Sequence, residues 1–302
     1  MTQHTDTSRD AILGFAEGYG IEQLEMFVTS LRRTSFAGKA ALFVDHNLPK
    51  DVGRYLQDHD IQAVRAPWKR TIYRYVRKAN ALQRQIRGTY YSPTQFAQDY
   101  LHQDSTMARY AFYKQWLTAH GRHCENVLFT DVRDVVFQCD PFAQPVEDEI
   151  CLFAEPGPTI VNSGATAKWL RRSYGAAVVE QLADRPVICA GVMCGTRDGM
   201  LRLVNKLTAV MAKAPSFWSL RFGLDQAALN LWVHTHDVPG LTVFPHLEGR
   251  IAHLAWADSS TLKLNDDGQV VGEFGQVVPL LHQYDRHPRL NEQVQQRYLR
   301  AA

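Results

Sequence analysis

Cysteine is scarce and carries no metal or disulfide pattern. There are five in 302 residues, Cys124, Cys139, Cys151, Cys189 and Cys194, with no CxxC spacing. An odd, unpatterned set argues against a zinc knuckle and a disulfide framework, and makes a reducing cytosol the default compartment. Long apolar runs are missing too. Nothing approaches the roughly 18 residues a membrane-spanning helix needs, and the polar stretch Met1 to Asp10 lacks the apolar core of a signal peptide. The formal net charge is only +2, without the basic stripe of a nucleic-acid binder. No GxGxxG follows the first apolar run, and no GxxxxGK[ST] or GxSxG occurs. Dinucleotide-binding, P-loop and nucleophile-elbow readings are therefore unsupported. Repeats and low-complexity segments are absent.

One local exception breaks the charge balance. Lys69 to Arg87 holds Lys69, Arg70, Arg74, Arg77, Lys78, Arg84 and Arg87 among Ile72, Tyr73, Tyr75, Val76, Leu82 and Ile86. An amphipathic helix with a solvated basic face accounts for it. The sharper reading is a surface for an anionic partner such as phospholipid headgroups, hence peripheral contact with a membrane.

What is present is core material, with 45% hydrophobic and 21% charged residues. A tail over 1–9 followed by one domain over 10–302 is the simplest organisation. Ala11 to Ala16, Lys39 to Val44 and Ile61 to Ala66 read as strands. Between them lie a helix bearing Leu24, Phe27, Val28 and Leu31, and a second helix over Asp51 to Asp58. That alternation predicts an α/β fold with a mixed, mostly parallel sheet flanked by helices. Residues 89–105 read as a surface excursion. Helices are expected over Thr106 to His120, Asp198 to Ala212 and Leu224 to His234. Strands are expected over Glu149 to Ala154, Val187 to Cys194 and Val277 to Leu281.

The most informative segment is Asn126 to Pro141, NVLFTDVRDVVFQCDP. Two apolar runs, Val127 to Phe129 and Val135 to Phe137, enclose Asp131, Arg133 and Asp134. Carboxylates at the edge of a core are costly unless a cation or hydrogen bonds satisfy them. Two readings stay open: a divalent-metal site, or a structural cluster in which Arg133 pairs with one carboxylate and the other caps a turn. Ligands of open α/β sheets gather beyond the carboxyl ends of strands. Tyr19, the Asp131–Asp134 pair and His282 all stand at such ends. Oxygen donors with one imidazole suit Mn²⁺ or Mg²⁺.

The segment VLFTDVRDVVFQCDPF resembles the metal-binding segment of GT-A glycosyltransferases, the nucleotide-sugar enzymes with a DxD-type motif. Its neighbours, in the same order, resemble glycosyltransferase family 8. Ala108-Arg109-Tyr110 is similar to that family's arginine-bearing helix. Cys189-Ala190-Gly191 stands where it has Asn-Ala-Gly. Leu224-Asp225-Gln226 with Asn230 resembles its Asp-Gln…Asn segment, and His282 its late metal-binding histidine.

This resemblance spans residues 11–288 and implies a GT-A fold and sugar transfer from a nucleotide donor, with UDP the expected nucleotide. It implies Asp131, Asp134 and His282 as ligands of Mn²⁺ or Mg²⁺, and Asp225 and Gln226 as catalytic residues at the anomeric carbon. Ala16, Tyr19, Arg109, Gly191 and Asn230 would bind the nucleotide-sugar, with Tyr19 stacked on the base. The acceptor would be a glycan, a lipid-linked molecule or a protein. The chain departs from the DxD pattern in having Arg133 at its third position, so either Asp134 completes the metal site or Arg133 replaces part of it. Two rival classes use the same residues: a metal-dependent hydrolase or nucleotidyltransferase, and a non-catalytic nucleotide-sugar-binding module.

Overall fold

The computed structural model describes residues 7–66, 105–214 and 222–299. The basic stretch Lys69 to Arg87, and all but the last residue of the excursion over 89–105, lie outside the described residues. The elements run in chain order as β1 (Ala11–Phe15), α1 (Ile21–Arg32), β2 (Lys39–Val44), α2 (Lys50–Asp58), β3 (Ile61–Arg65), α3 (Ser105–Ala119), β4 (Asn126–Thr130) and β5 (Val135–Phe137). There follow β6 (Ile150–Thr159), α4 (Gly164–Tyr174), α5 (Ala176–Gln181), β7 (Pro186–Ile188), β8 (Val192–Thr196), α6 (Arg197–Ala212) and α7 (Leu224–Thr235). The chain ends with β9 (Leu241–Phe244), β10 (Ile251–His253), β11 (Leu280–His282) and α8 (Pro288–Tyr298). Thr7–Arg9 form a single 3-10 turn rather than part of a loose tail, and Arg9 pairs with Glu125.

The main sheet has eight strands in the order β3-β2-β1-β4-β8-β6-β7, with β9 on β6. β3, β2, β1 and β4 are parallel, and β8 joins β4 antiparallel. The fold is thus α/β with a mixed, mostly parallel sheet flanked by helices. Alternation along the strands explains why helices cover both faces. Ile12 and Leu42 point to one side, with Phe27, Leu31 and Leu56 of α1 and α2. Leu13 and Phe43 point to the other, with Tyr113, Trp116 and Leu203 of α3 and α6. Strands buried on both faces read as continuous apolar runs, which is how β1 and β2 stand out in the sequence. Helix starts follow local chemistry. The Thr196 hydroxyl caps α6 by accepting from the Gly199 N–H at 3.2 Å, and Ser163 caps α4 by accepting from Thr166 N–H at 3.3 Å.

A second, three-stranded sheet, β10-β11-β5, stands beside the first. Its outer face packs on α8 through Val136, Leu281, Tyr284, Leu290 and Val294. β11 is parallel to β10 and antiparallel to β5, so His253, His282 and Val135 lie in one row. The late strand is shorter than expected, Leu280–His282 instead of Val277 to Leu281, and His282 is its last residue.

The expected strand over Val187 to Cys194 is interrupted. Ala154 pairs with Ile188 and Cys151 with Cys194, so three steps along β6 face six along its partner. The surplus residues Cys189, Ala190 and Gly191 leave the ladder as a bulge. Periodicity could not reveal this, because the bulge residues are as apolar and buried as the strands beside them. β6 also runs five residues beyond the expected end, to Thr159.

At the opposite end of the sheet from the carboxylates, Asp10 locks β1 to β4. Its Oδ1 accepts from Asn126 N–H at 3.0 Å and from the Asn126 amide at 2.9 Å. Burial outweighs these bonds and raises the Asp10 pKa from 3.8 to about 6. A raised acid is ionised at a free-energy cost in the folded state. Its drain on stability is absent below pH 4, grows as pH rises from about 4 to 6, and is then constant, on the order of 2–3 kcal/mol. Asp10→Asn keeps an acceptor oxygen for Asn126 and is expected to remove that slope. Denaturant melts at pH 4.5 and 7.5 should show a clearly larger gain over wild type at the higher pH; an equal effect at both would contradict a charged, buried Asp10.

Candidate functional site

The carboxylate cluster forms at the carboxyl ends of β1 and β4, where the sheet changes from parallel to antiparallel. Asp131 follows β4 directly, and its N–H donates to Gly191 C=O at 2.7 Å. The register across β4 and β8, Thr130 opposite Val192, sets that neighbour. Asp134 precedes β5, and Gln283 N–H donates to its C=O at 2.7 Å. His282 thus arrives from the second sheet, with Nε2 3.4 Å from Asp131 Oδ2 and 3.7 Å from Asp134 Oδ1. The three donor atoms lie within 4.8 Å of one another. Close approach requires glycine at 191: a Cβ there would overlap the His282 ring and sit 2.8 Å from Asp131 Oδ2.

These three side chains fit a hard divalent cation. His282 is 1% exposed, and its Nε2 faces the two carboxylates at 3.4 and 3.7 Å, too far for a close hydrogen bond to either. A buried ring nitrogen set between two carboxylates at these distances calls for a proton or a metal in the gap. On the other side of the ring, His282 Nδ1 lies 2.9 Å from His253 Nδ1. One ring must donate there and the other accept. With the proton on His282 Nδ1, its Nε2 lone pair faces the carboxylates, the arrangement in which an outer partner orients a metal-binding imidazole. Two oxygens and one nitrogen suit Mn²⁺ or Mg²⁺.

Behind the cluster, Arg109 is buried on α3. Its Nη1 donates to Asp131 Oδ1 at 2.6 Å, and its Nη2 donates to Asp225 Oδ2 at 2.6 Å and Ala190 C=O at 2.9 Å. The expected ligand-contacting arginine is thus committed to protein groups. It ties α3, the β4 loop, the bulge and α7 together. Burial pulls the Arg109 pKa down, but Tyr110, Asp225 and Asp131 outweigh it and hold the guanidinium well above its ordinary value. Burial pushes Asp131 up, and Arg109 with His282 more than reverses it, so its carboxyl lies below the ordinary range. Its side chain keeps 39% exposure, so water screens part of this pairing. Asp134 is raised, chiefly by burial. For His282, burial acts downward and the two aspartates prevail, so its pKa is raised.

The other expected residues divide into two groups. Tyr19 is half-buried after β1. Burial first, then Asp131, raises its pKa, with Arg133, Asp134 and Arg109 also acting on it, so its hydroxyl lies within the field of the site. Gln226 is buried at the start of α7, where its Oε1 accepts from the Ala190 N–H at 2.7 Å. Ala16, by contrast, is a core residue whose N–H donates to Phe43 C=O at 2.8 Å. Asn230 is fully buried and clasps β7: it accepts from Ile188 N–H and donates to Ile188 and Gln226 C=O, each at 2.8 Å. Asn230 therefore braces the bulge from behind rather than facing its open side. Asp225 points to Arg109 and serves as that cation's buried partner. Arg133 is exposed and forms no ion pair with any other described residue, so the reading in which it neutralises an aspartate is not what the structure contains.

Three residues at the site escaped the sequence reading. Glu155 ends the apolar run of β6, hydrogen-bonds to Cys189, Gln226 and Trp256, and has a pKa raised by burial. His253 ends β10. Trp256, 54% exposed, stands beside Glu155 and against Gly157. A signal existed for the first two: Cys-Leu-Phe-Ala-Glu155 and Ile-Ala-His253 are apolar runs ending in a polar residue, like Leu-Phe-Thr-Asp131 and Leu-Leu-His282. No protein-family model matches the chain, and no curated protein does.

Removing the Arg109 charge should take from Asp225, whose side chain is 5% exposed, its ion-pair partner at 2.6 Å. Arg109→Met is expected to destabilise the protein by about 3 kcal/mol. Adding Asp225→Asn should recover part of that loss. Additive losses in the double variant, measured by chemical denaturation, would show that the two side chains do not act as a pair.

Proposed function

We propose that this chain is a GT-A-type glycosyltransferase that moves a sugar from a nucleotide-sugar, with UDP the expected nucleotide, to an acceptor hydroxyl. One observation carries the reading. Asp131 and Asp134, flanking a strand end, meet His282 from far along the chain at the edge where α/β sheets bind ligands. The pattern of motifs that resembles glycosyltransferase family 8 supports it independently.

Asp131 Oδ2, Asp134 Oδ1 and His282 Nε2 would hold Mn²⁺ or Mg²⁺. Such an ion neutralises a diphosphate and stabilises the charge that grows on it as the nucleotide leaves. The remaining roles fall to side chains. Tyr19 offers a ring at the mouth of the site for the base. Arg133, exposed beside Asp134, adds a mobile positive charge where phosphate oxygens would lie. Arg109 acts as a brace, keeping Asp131 ionised and the bulge in place. Gln226 holds Ala190 and reaches Glu155 at 3.5 Å.

Asp225 is tied to Arg109, so the catalytic carboxylate on the acceptor side is assigned to Glu155. Burial raises its pKa, which favours a carboxyl able to take up and release a proton. Trp256 beside it offers an aromatic face to an acceptor sugar.

Thermal stabilisation by a panel of UDP- and GDP-sugars, with and without Mn²⁺, tests donor and metal together. A UDP-sugar is expected to stabilise wild type only with the metal, and Asp131→Ala is expected to lose that response while remaining folded. Unchanged donor binding in Asp131→Ala would sink the site assignment. Release of free sugar without an acceptor, or transfer of the nucleotide, would favour the hydrolase or nucleotidyltransferase reading instead. Absence of any donor binding would favour a non-catalytic module.

Stereochemistry has its own test. NMR of the first-formed product should show a retained anomer if the chemistry is that of family 8. An inverted anomer would require a carboxylate base, and Glu155→Gln should then lower kcat about 100-fold or more while moving KM little.

A further inference from the structure

Cys189, His253 and His282 create a second constellation on the far side of the His282 ring from the carboxylates. Cys189 Sγ lies 3.8 Å from His282 Nδ1, and His253 Nδ1 lies 2.9 Å from the same atom. The three ligand atoms fall within 4.8 Å of one another, and all three residues are buried. A tetrahedral ion with Zn–N near 2.05 Å and Zn–S near 2.3 Å separates its ligands by about 3.4 Å for N···N and about 3.6 Å for N···S. The His253–His282 and Cys189–His282 separations depart from those values by only about 0.5 Å or less, a side-chain adjustment. Glu155 hydrogen-bonds to Cys189 at the edge of this cluster, and a water would complete a tetrahedral ion. This donor set is softer than the two carboxylates on the other side of the ring, and thiolate with imidazole favours Zn²⁺ over Mn²⁺ or Mg²⁺.

We propose that Cys189, His253 and His282 Nδ1 form a second metal site selective for a Zn²⁺-class ion, and that filling it prevents a cation from binding at Asp131 and Asp134. The exclusion follows from the shared ring. When Nδ1 binds a metal, the ring proton resides on Nε2. That N–H then donates to Asp131, 3.4 Å away, and no lone pair is left for the carboxylate site. On binding, metal–sulfur and metal–nitrogen bonds form, and the Cys189 thiol proton is released to solvent. The site does not depend on sugar transfer; it shares only His282 with that reading.

Co²⁺ is the probe, because thiolate ligation gives it an intense near-ultraviolet charge-transfer band that oxygen and nitrogen ligands do not. Under reducing conditions the full chain is expected to show this band at one equivalent, and Zn²⁺ should erase it. Cys189→Ser should lack it and His253→Asn should weaken it, each with a wild-type melting curve in the absence of metal. Asp134→Asn should retain it. A folded wild type without the band, or a band that survives in Cys189→Ser, would overturn the proposal. Sharing of His282 is read separately by electron paramagnetic resonance of bound Mn²⁺. One equivalent of Zn²⁺ should weaken Mn²⁺ binding about tenfold or more in wild type and not in Cys189→Ser. Simultaneous binding of both ions would refute the exclusion. If Mn²⁺ never binds, the sugar-transfer reading fails at its metal, while the cobalt band still decides this site.

Discussion

The interaction on which the rest of the site depends is the buried Arg109 held between Asp131 and Asp225. A guanidinium without water must be met by carboxylates in good geometry, or it destabilises the fold that holds it. Here both 2.6 Å bonds are made, and a third goes to the Ala190 carbonyl. Four separate segments thereby acquire one common point. Losing Arg109 would take the 2.6 Å ion-pair partner from both aspartates at once, so the four segments are coupled through one side chain. The same pairing holds Asp131 ionised, which a cation ligand requires.

Around that point the backbone supplies precision. The parallel register of β1 and β4 brings Tyr19 and Asp131 to one edge. The bulge at Cys189 to Gly191 turns three residues out of the ladder, and Gln226 and Asn230 of α7 hold that bulge and the strand before it by their hydrogen bonds. Gly191 then allows His282 to come within reach of Asp131. These devices are neutral amides and a missing side chain. They set distances, while the charges set affinity. His253 constrains which nitrogen of His282 is available, because two Nδ1 atoms 2.9 Å apart share a single proton.

Much of this was legible in advance. The α/β class, the first three strands and the segment from Asp131 to Asp134 could be read because strands buried on both faces are continuous apolar runs, and a carboxylate that breaks such a run is conspicuous. His282 and Gln226 were reached by motif order. The roles of Arg109, Asp225 and Asn230 were not legible as they stand. A polar residue on a helix has the same local signature whether it faces a ligand, a buried counter-ion or a neighbouring strand. Glu155 and His253 carried the same apolar-run-then-polar signal as Asp131 and His282, but without a partner nearby in sequence.

What the sequence determined by itself is therefore local: where strands and helices form, which faces they bury, and which residues are too polar for the positions they hold. Tertiary structure alone decided which of those polar residues meet. Asp131 and His282 are 151 positions apart and share a site only because β11 pairs with β5 next to the end of β4. Coulomb and coordination energies fall within a few ångströms. Whether Arg133 or Arg109 neutralises Asp131 was a question of distance through space, and the burial of α3 against the sheet answered it in favour of Arg109.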